Sequence, residues 1–227
     1  MNFKHIFFDL DHTLWDFDKN SALAMTQTLS AFDINCDFDQ FHDVYNPINE
    51  VYWSMYTKGE ITKEALKIKR FQDAFYELNY DLPAERIEGI SVHYMEILPH
   101  FSHLIEGAKE LLDELKLSHT LHVITNGFNE VSYKKLTYSG IIDYFDQIIT
   151  PESTGLKKPN PIVFHHALEK ANARPEESLM VGDNYEVDVL GAEAVGIKAV
   201  WFDHKKTGQK LHDRSITALS DVYAVMA

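Results

Sequence analysis

Short apolar runs, each closed by a polar residue, punctuate this chain: Ile6-Phe7-Phe8 before Asp9, residues 121–124 before Thr125, Leu179-Met180-Val181 before Gly182-Asp183, and 199–202 before Asp203. Such runs, rich in β-branched and aromatic residues and without polar alternation, predict strands covered on both faces. Residues 145–149, which include Asp146 and Gln147, read as a further strand of the same set. Helical spacing of apolar positions lies between the later runs, at 107–117, 130–139, 161–171 and 187–195. Alternation of this kind, joined by right-handed crossovers, predicts an α/β fold built on a doubly wound, Rossmann-like parallel sheet.

Residues 18–99 break the rhythm. Long amphipathic patterns at 20–32, 38–56, 63–78 and 84–98 follow one another with no strand between them, which predicts a four-helix insertion. The expected organisation is therefore a core of residues 1–17 and 100–227 with a helical cap domain at 18–99. Because the insertion leaves after the first strand and returns before the second, it is expected to lie over the strand ends as a lid.

Composition narrows the partners. With 45% hydrophobic residues in 227, the chain can bury a full core. Its 21 Lys and Arg against 35 Asp and Glu give a formal charge of −14, which repels polymeric nucleic acid and anionic membranes. A small anionic metabolite remains admissible, since a few local cations and a metal reverse the potential inside one cleft. Cys36 is the sole cysteine, so no intramolecular disulfide can form. The run before Asp9 is too short for a signal peptide, and no stretch approaches the roughly 20 apolar residues of a membrane span. A cytoplasmic monomer or homodimer is the expectation.

In doubly wound sheets ligands bind beyond the carboxyl ends of the strands, where the winding reverses. The residues that close the predicted strands are Asp9 and Asp11, then Thr125 and Asn126, then Asp183 with Asp188 one turn later. Singly, each has a plain reading as a turn or a helix cap. Gathered on one edge, the carboxylates would repel each other unless a cation neutralised them. All-oxygen ligation selects a hard ion, and magnesium, which needs few carboxylates and keeps several waters, suits a phosphate site better than calcium. The histidines, including His165-His166 and the His119/His122 pair, form no four-ligand set of zinc spacing.

Taken in chain order, these segments resemble the four motifs of the haloacid dehalogenase-like hydrolase superfamily. Asp9-Leu10-Asp11-His12-Thr13 is similar to the first motif, Ile124-Thr125-Asn126 to the second, Gly155-Leu156-Lys157-Lys158-Pro159 to the third, and Gly182-Asp183 to Asp188 to the fourth. The helical insertion resembles that family's cap. The resemblance implies a phosphatase or phosphomutase rather than a dehalogenase, because dehalogenases lack the carboxylate at the position of Asp11. Residues 8–18, 124–128 and 158–161 further resemble the bacterial pyrimidine 5′-nucleotidases with a house-cleaning role. A sugar-phosphate or phosphoglycolate phosphatase, and then a phosphomutase, are the alternatives.

What the resemblance implies for roles agrees with the chemistry of the residues. Asp9 is the expected nucleophile, forming an aspartyl-phosphate, and Asp11 the expected proton shuttle. Magnesium would be held by Asp9, the Asp11 carbonyl, Asp183 and Asp188. Thr125 and the Asn126 backbone would bind phosphate oxygens, and Lys158, favoured over Lys157 because it precedes Pro159, would supply the fixed cation. Trp15, Phe17 and Phe128 offer either a face for a nucleobase or packing between core and cap. Tyr45, Tyr52, Trp53 and Tyr56 recur at helical spacing that suits the interior of the cap.

Overall fold

The computed structural model describes residues 3–209 and 211–226. Six parallel strands form one sheet: β1 (His5–Phe8), β2 (Thr120–Ile124), β3 (Phe145–Ile149), β4 (Ser178–Gly182), β5 (Lys198–Phe202) and the two-residue β6 (Ser215–Ile216). Their order is β3-β2-β1-β4-β5-β6. The chain therefore steps outward from β1 to β3 and then returns to the other side of β1, so the winding reverses at β1 and β4. Register fixes the level of the strand ends. Phe8 is paired with Val123 on one side and Val181 on the other, so the residues after β1, β2 and β4 emerge together.

Residues of β1, β2, β4 and β5 are almost entirely buried, whereas β3 is mostly half-buried and exposes Asp146. Phe7, Ile124, Met180, Ala199 and Trp201 pack with Val163, Phe164 and Leu168 of a covering helix in one cluster. Near-continuous apolar character follows from this burial, and so does the legibility of the strands in the sequence. β6 escapes the pattern because two residues, Ser215 and Ile216, carry no period.

Two compact units emerge: Met1–Phe17 with Ser102–Ala227, and Asp18–Phe101. Four helices lie mainly in the second: α1 (Phe17–Ala31), α2 (Phe38–Thr57), α3 (Lys63–Glu77) and α4 (Ala84–Ile97). Asp37 and Thr62 cap α2 and α3 by accepting from Gln40 N and Ala65 N. Their apolar faces bury Phe41, Tyr45, Leu66, Phe71, Phe75 and Tyr94. Tyr45 and Tyr56 are thus interior, whereas Tyr52 is partly exposed and donates to Asp73 Oδ2 at 2.6 Å.

The sheet unit contributes α5 (Ala108–Leu115), α6 (Asn129–Tyr138), the short α7 (Pro151–Thr154) and α8 (Pro161–Ala171). The expected helix at 187–195 takes a different form. One wide π-helical turn, Tyr185–Leu190, precedes a brief α-turn, Gly191–Glu193. Asn184 organises the turn: its Oδ1 accepts from Val187 N, and its N–H donates to Asp188 Oδ2 at 3.0 Å. Within this turn the Asp188 side chain packs against Gly182 at the end of β4.

Candidate active site

Backbone bonds deliver the first acid. Asp9 N donates to Val181 O at 2.9 Å, continuing the β1–β4 ladder one residue beyond the strand and holding Asp9 at the point where the winding reverses. The chain then closes a tight loop: His12 takes a positive φ of 62°, His12 N donates to Trp15 O, and Trp15 N returns to Leu10 O. Asp11 and Trp15 form an isolated bridge across it. Asp9, Asp183 and Asp188 bring one carboxylate oxygen each within 4.8 Å of one another.

Lys158 stands among them, 1% exposed. Its Nζ donates to Asp9 Oδ1 at 2.6 Å and to Ile124 O at 2.5 Å, and lies 2.7 Å from Asp188 Oδ1. The Asp188 contact is an ion pair at a poor hydrogen-bonding angle, which leaves Asp188 Oδ1 buried without an aligned donor. Lys158 rather than Lys157 makes these contacts. Asn126 holds its backbone: Lys158 N donates to Asn126 Oδ1 at 2.8 Å, and Asn126 Nδ2 donates to Lys158 O at 2.9 Å. The Asn126 side chain thus ties the loop after β2 to the loop that carries the ammonium.

Thr125 is buried and accepts at Oγ1 from Gly127 N at 3.0 Å, so its own hydroxyl proton is left to donate. Two further residues join the cluster. Thr13 Oγ1 donates to Asp183 Oδ1 at 3.3 Å, and Lys135 Nζ lies 2.5 Å from Asp11 Oδ1. Neither was singled out from sequence. For Lys135 a signal existed: it shares a helical face with the buried Val131 and Ser132, four and three residues earlier, where a lysine is out of place. Trp15 and Phe128 are buried in packing, with Trp15 under the Lys135 ammonium.

Charge is the dominant feature. Burial, followed by repulsion from Asp188 and Asp11 and opposed by Lys158, pushes the Asp9 carboxyl up to about 7. Burial and then repulsion from Asp9 and Asp188 raise Asp183 well above the carboxylate range. Burial disfavours the Lys158 charge, yet Asp188 and Asp9 together outweigh it and hold the ammonium above its usual value. One ammonium therefore faces three carboxylates. The surplus negative charge, the donor set of oxygens alone and the unaligned Asp188 Oδ1 fit a hard divalent cation.

Glycine makes room for this arrangement. A Cβ on Gly182 would meet Asp188 Oδ2 at 2.5 Å and its Cβ and Cγ at 2.6 Å. Gly182 therefore serves close approach rather than a left-handed turn, since its φ is not positive.

The profile of the family described as haloacid dehalogenase-like hydrolase matches residues 3–196. The pyrimidine 5′-nucleotidase YjjG of Escherichia coli (strain K12) is 32% identical over 205 residues, covering 89% of this chain and 87% of that one. A phosphoglycolate phosphatase of Aquifex aeolicus is 30% identical over 225 residues, covering 97% and 95%. Among solved structures, the putative HAD-hydrolase YfnB from Bacillus subtilis, bound to magnesium, superposes with a TM-score of 0.90 at 26% identity, covering 100% and 99%.

Proposed function

The chain belongs to the haloacid dehalogenase-like hydrolases, and from that premise we propose that it is a magnesium-dependent phosphomonoester hydrolase, with Asp9 as nucleophile and pyrimidine nucleoside 5′-monophosphates as substrates. The observation that carries the chemistry is the Asp9 carboxylate, held at 2.6 Å by a buried ammonium, beside two further acids at the carboxyl edge of the sheet. The nucleotide preference is supported by the relative from Escherichia coli and by the local run of residues 124–128.

Lys158 orients Asp9 through Oδ1 and favours its ionised form against burial, which leaves the other carboxylate oxygen to attack phosphorus. As that bond forms, the phosphorus–oxygen ester bond breaks, and Asp11 gives its proton to the departing alkoxide. Water then attacks the phosphorus of the aspartyl-phosphate while Asp11 takes a proton from it, releasing phosphate and restoring Asp9. Thr125 donates its free hydroxyl proton to a phosphoryl oxygen. Lys158, with Nζ bonded to Asp9 Oδ1 and Ile124 O and paired with Asp188, acts as a positioning charge rather than a direct phosphate ligand. Asp9, Asp183, Asp188 and the Asp11 carbonyl would hold magnesium, which when bound neutralises the acids and polarises phosphoryl oxygens.

A panel of phosphate esters assayed with magnesium tests the proposal. Pyrimidine 5′-monophosphates should be turned over with the highest kcat/KM. Equal turnover of simple sugar phosphates would defeat the nucleotide preference, and preference for phosphoglycolate would favour the activity named for the Aquifex aeolicus relative.

A further inference from the structure

Lys135 is 3% exposed, sits in the last turn of α6 and directs Nζ to Asp11 Oδ1 at 2.5 Å. A lysine near a helix C-terminus usually reaches solvent and favours the helix dipole. This one is buried, and removing an ammonium from water costs several kcal/mol unless a partner compensates. Its surroundings restrict it closely. Nζ lies 4.1 Å from the centroid of Trp15 and 5.2 Å from that of Phe17. Trp15 belongs to the same hydrogen-bonded loop as Asp11, so the loop supplies both the carboxylate and the aromatic floor beneath the ammonium.

The second oxygen of Asp11 is turned elsewhere. Asp11 Oδ2 lies 3.7 Å from the point a Gly127 Cβ would occupy, beside Thr125 Oγ1 and Ser132 Oγ. One oxygen is thus anchored and the other faces the loop that carries Thr125. Resting on the role proposed for Asp11 above, we infer that Lys135 is a positioning residue: by fixing Oδ1 it holds Oδ2 toward the phosphate-binding loop, where protons are exchanged with the leaving group and with water. Lys135 touches no reacting atom itself.

The consequence is a dependence on the leaving group. An alkyl phosphate needs a proton delivered as its alkoxide departs, whereas p-nitrophenyl phosphate releases a stabilised phenolate that needs none. Lys135→Met retains apolar packing on Trp15 but cannot donate. Its kcat/KM, which reports the step that expels the leaving group, should fall about 10- to 100-fold for an alkyl phosphate. For p-nitrophenyl phosphate it should change by less than about threefold. Lys135→Arg should recover most of the alkyl phosphate activity, and Lys135→Met should add nothing in an Asp11→Asn background, because both act through one carboxyl.

An equal fall for both esters, or independent effects in the double variant, would overturn the inference and leave a general packing or field effect. Asp11→Asn alone separates this from the premise: if it shows no leaving-group dependence, the role of Asp11 is wrong and Lys135 has nothing to position. Should Lys135→Met fail to fold, Lys135→Gln carries the same comparison, with the unfolding midpoint measured beside the rates.

Discussion

Gly182→Ala tests the claim that the acids are packed against the end of β4. The added methyl would lie 2.6 Å from Asp188 Cβ and Cγ, about 0.9 Å short of an ordinary carbon–carbon contact of ~3.5 Å. The atoms in the way belong to a buried carboxylate held by Asn184 N and Lys158, so they cannot swing into solvent. Either β4 shifts, breaking register with β1, or Asp188 moves by about an ångström. Overpacking of this kind costs about 1–3 kcal/mol, and a displacement near 1 Å in a positioned group costs on the order of 100-fold in rate. Unfolding midpoints, steady-state kinetics and the magnesium concentration for half-maximal activity measure the three effects together. All should worsen, with the magnesium requirement rising several-fold. Activity and magnesium dependence within about twofold of the parent, at unchanged stability, would refute the packing argument, since the methyl would have found room that the geometry denies it.

Three further outcomes are expected. Asp9→Asn should abolish turnover yet raise the metal-free unfolding midpoint, gaining about 1–2 kcal/mol, because one of three mutually repelling carboxylates becomes neutral while still accepting from Lys158; calorimetry in chelator checks it. Lys158→Met should do the reverse to stability, losing about 3 kcal/mol by leaving Asp9 and Asp188 without a counter-charge, and should lower kcat at least about 100-fold, read from denaturant unfolding and saturation kinetics. His122 is fully buried between Phe7 and His5, and burial, then His5, lower its pKa to about 4. A depressed folded value means its stabilising neutral form is secure above pH ~6.5 and is lost as pH falls toward about 4, so between about pH 7 and 4.5 the wild type should lose about 2 kcal/mol more than His122→Phe in urea unfolding.

Strands and long helices were legible because burial on both faces, or on one stripe, imprints a period on the sequence. The run Leu179-Met180-Val181 has no reason to be uniformly apolar except that β4 is covered on both sides. The acids were legible for a related reason: Asp9 and Asp183 follow their strands directly, so local order alone brings them to one edge. The turn at Tyr185–Leu190 was not legible as a π-helix, since its apolar spacing fits a helix until Asn184 and Asp188 draw it wide. The reciprocal bonds between the Asn126 side chain and the Lys158 backbone depend on where two loops meet, which no local pattern records.

The cations show why local order stops short of the electrostatics. Asp9 meets Lys158 across 149 residues and Asp11 meets Lys135 across 124, through loops and a helix whose facing is set by packing rather than by strand register. Composition hides them as well, since a formal charge of −14 says nothing about two ammonium groups sealed beneath the acids. Both are already committed, Lys135 to Asp11 and Lys158 to Asp9, Asp188 and Ile124 O. An incoming phosphate dianion therefore meets carboxylates whose counter-charges are in use. On the proposed mechanism, one ammonium against three buried acids leaves the attraction that seats a phosphate ester to a divalent cation on Asp9, Asp183 and Asp188, with the lysines aiming Asp9 and Asp11.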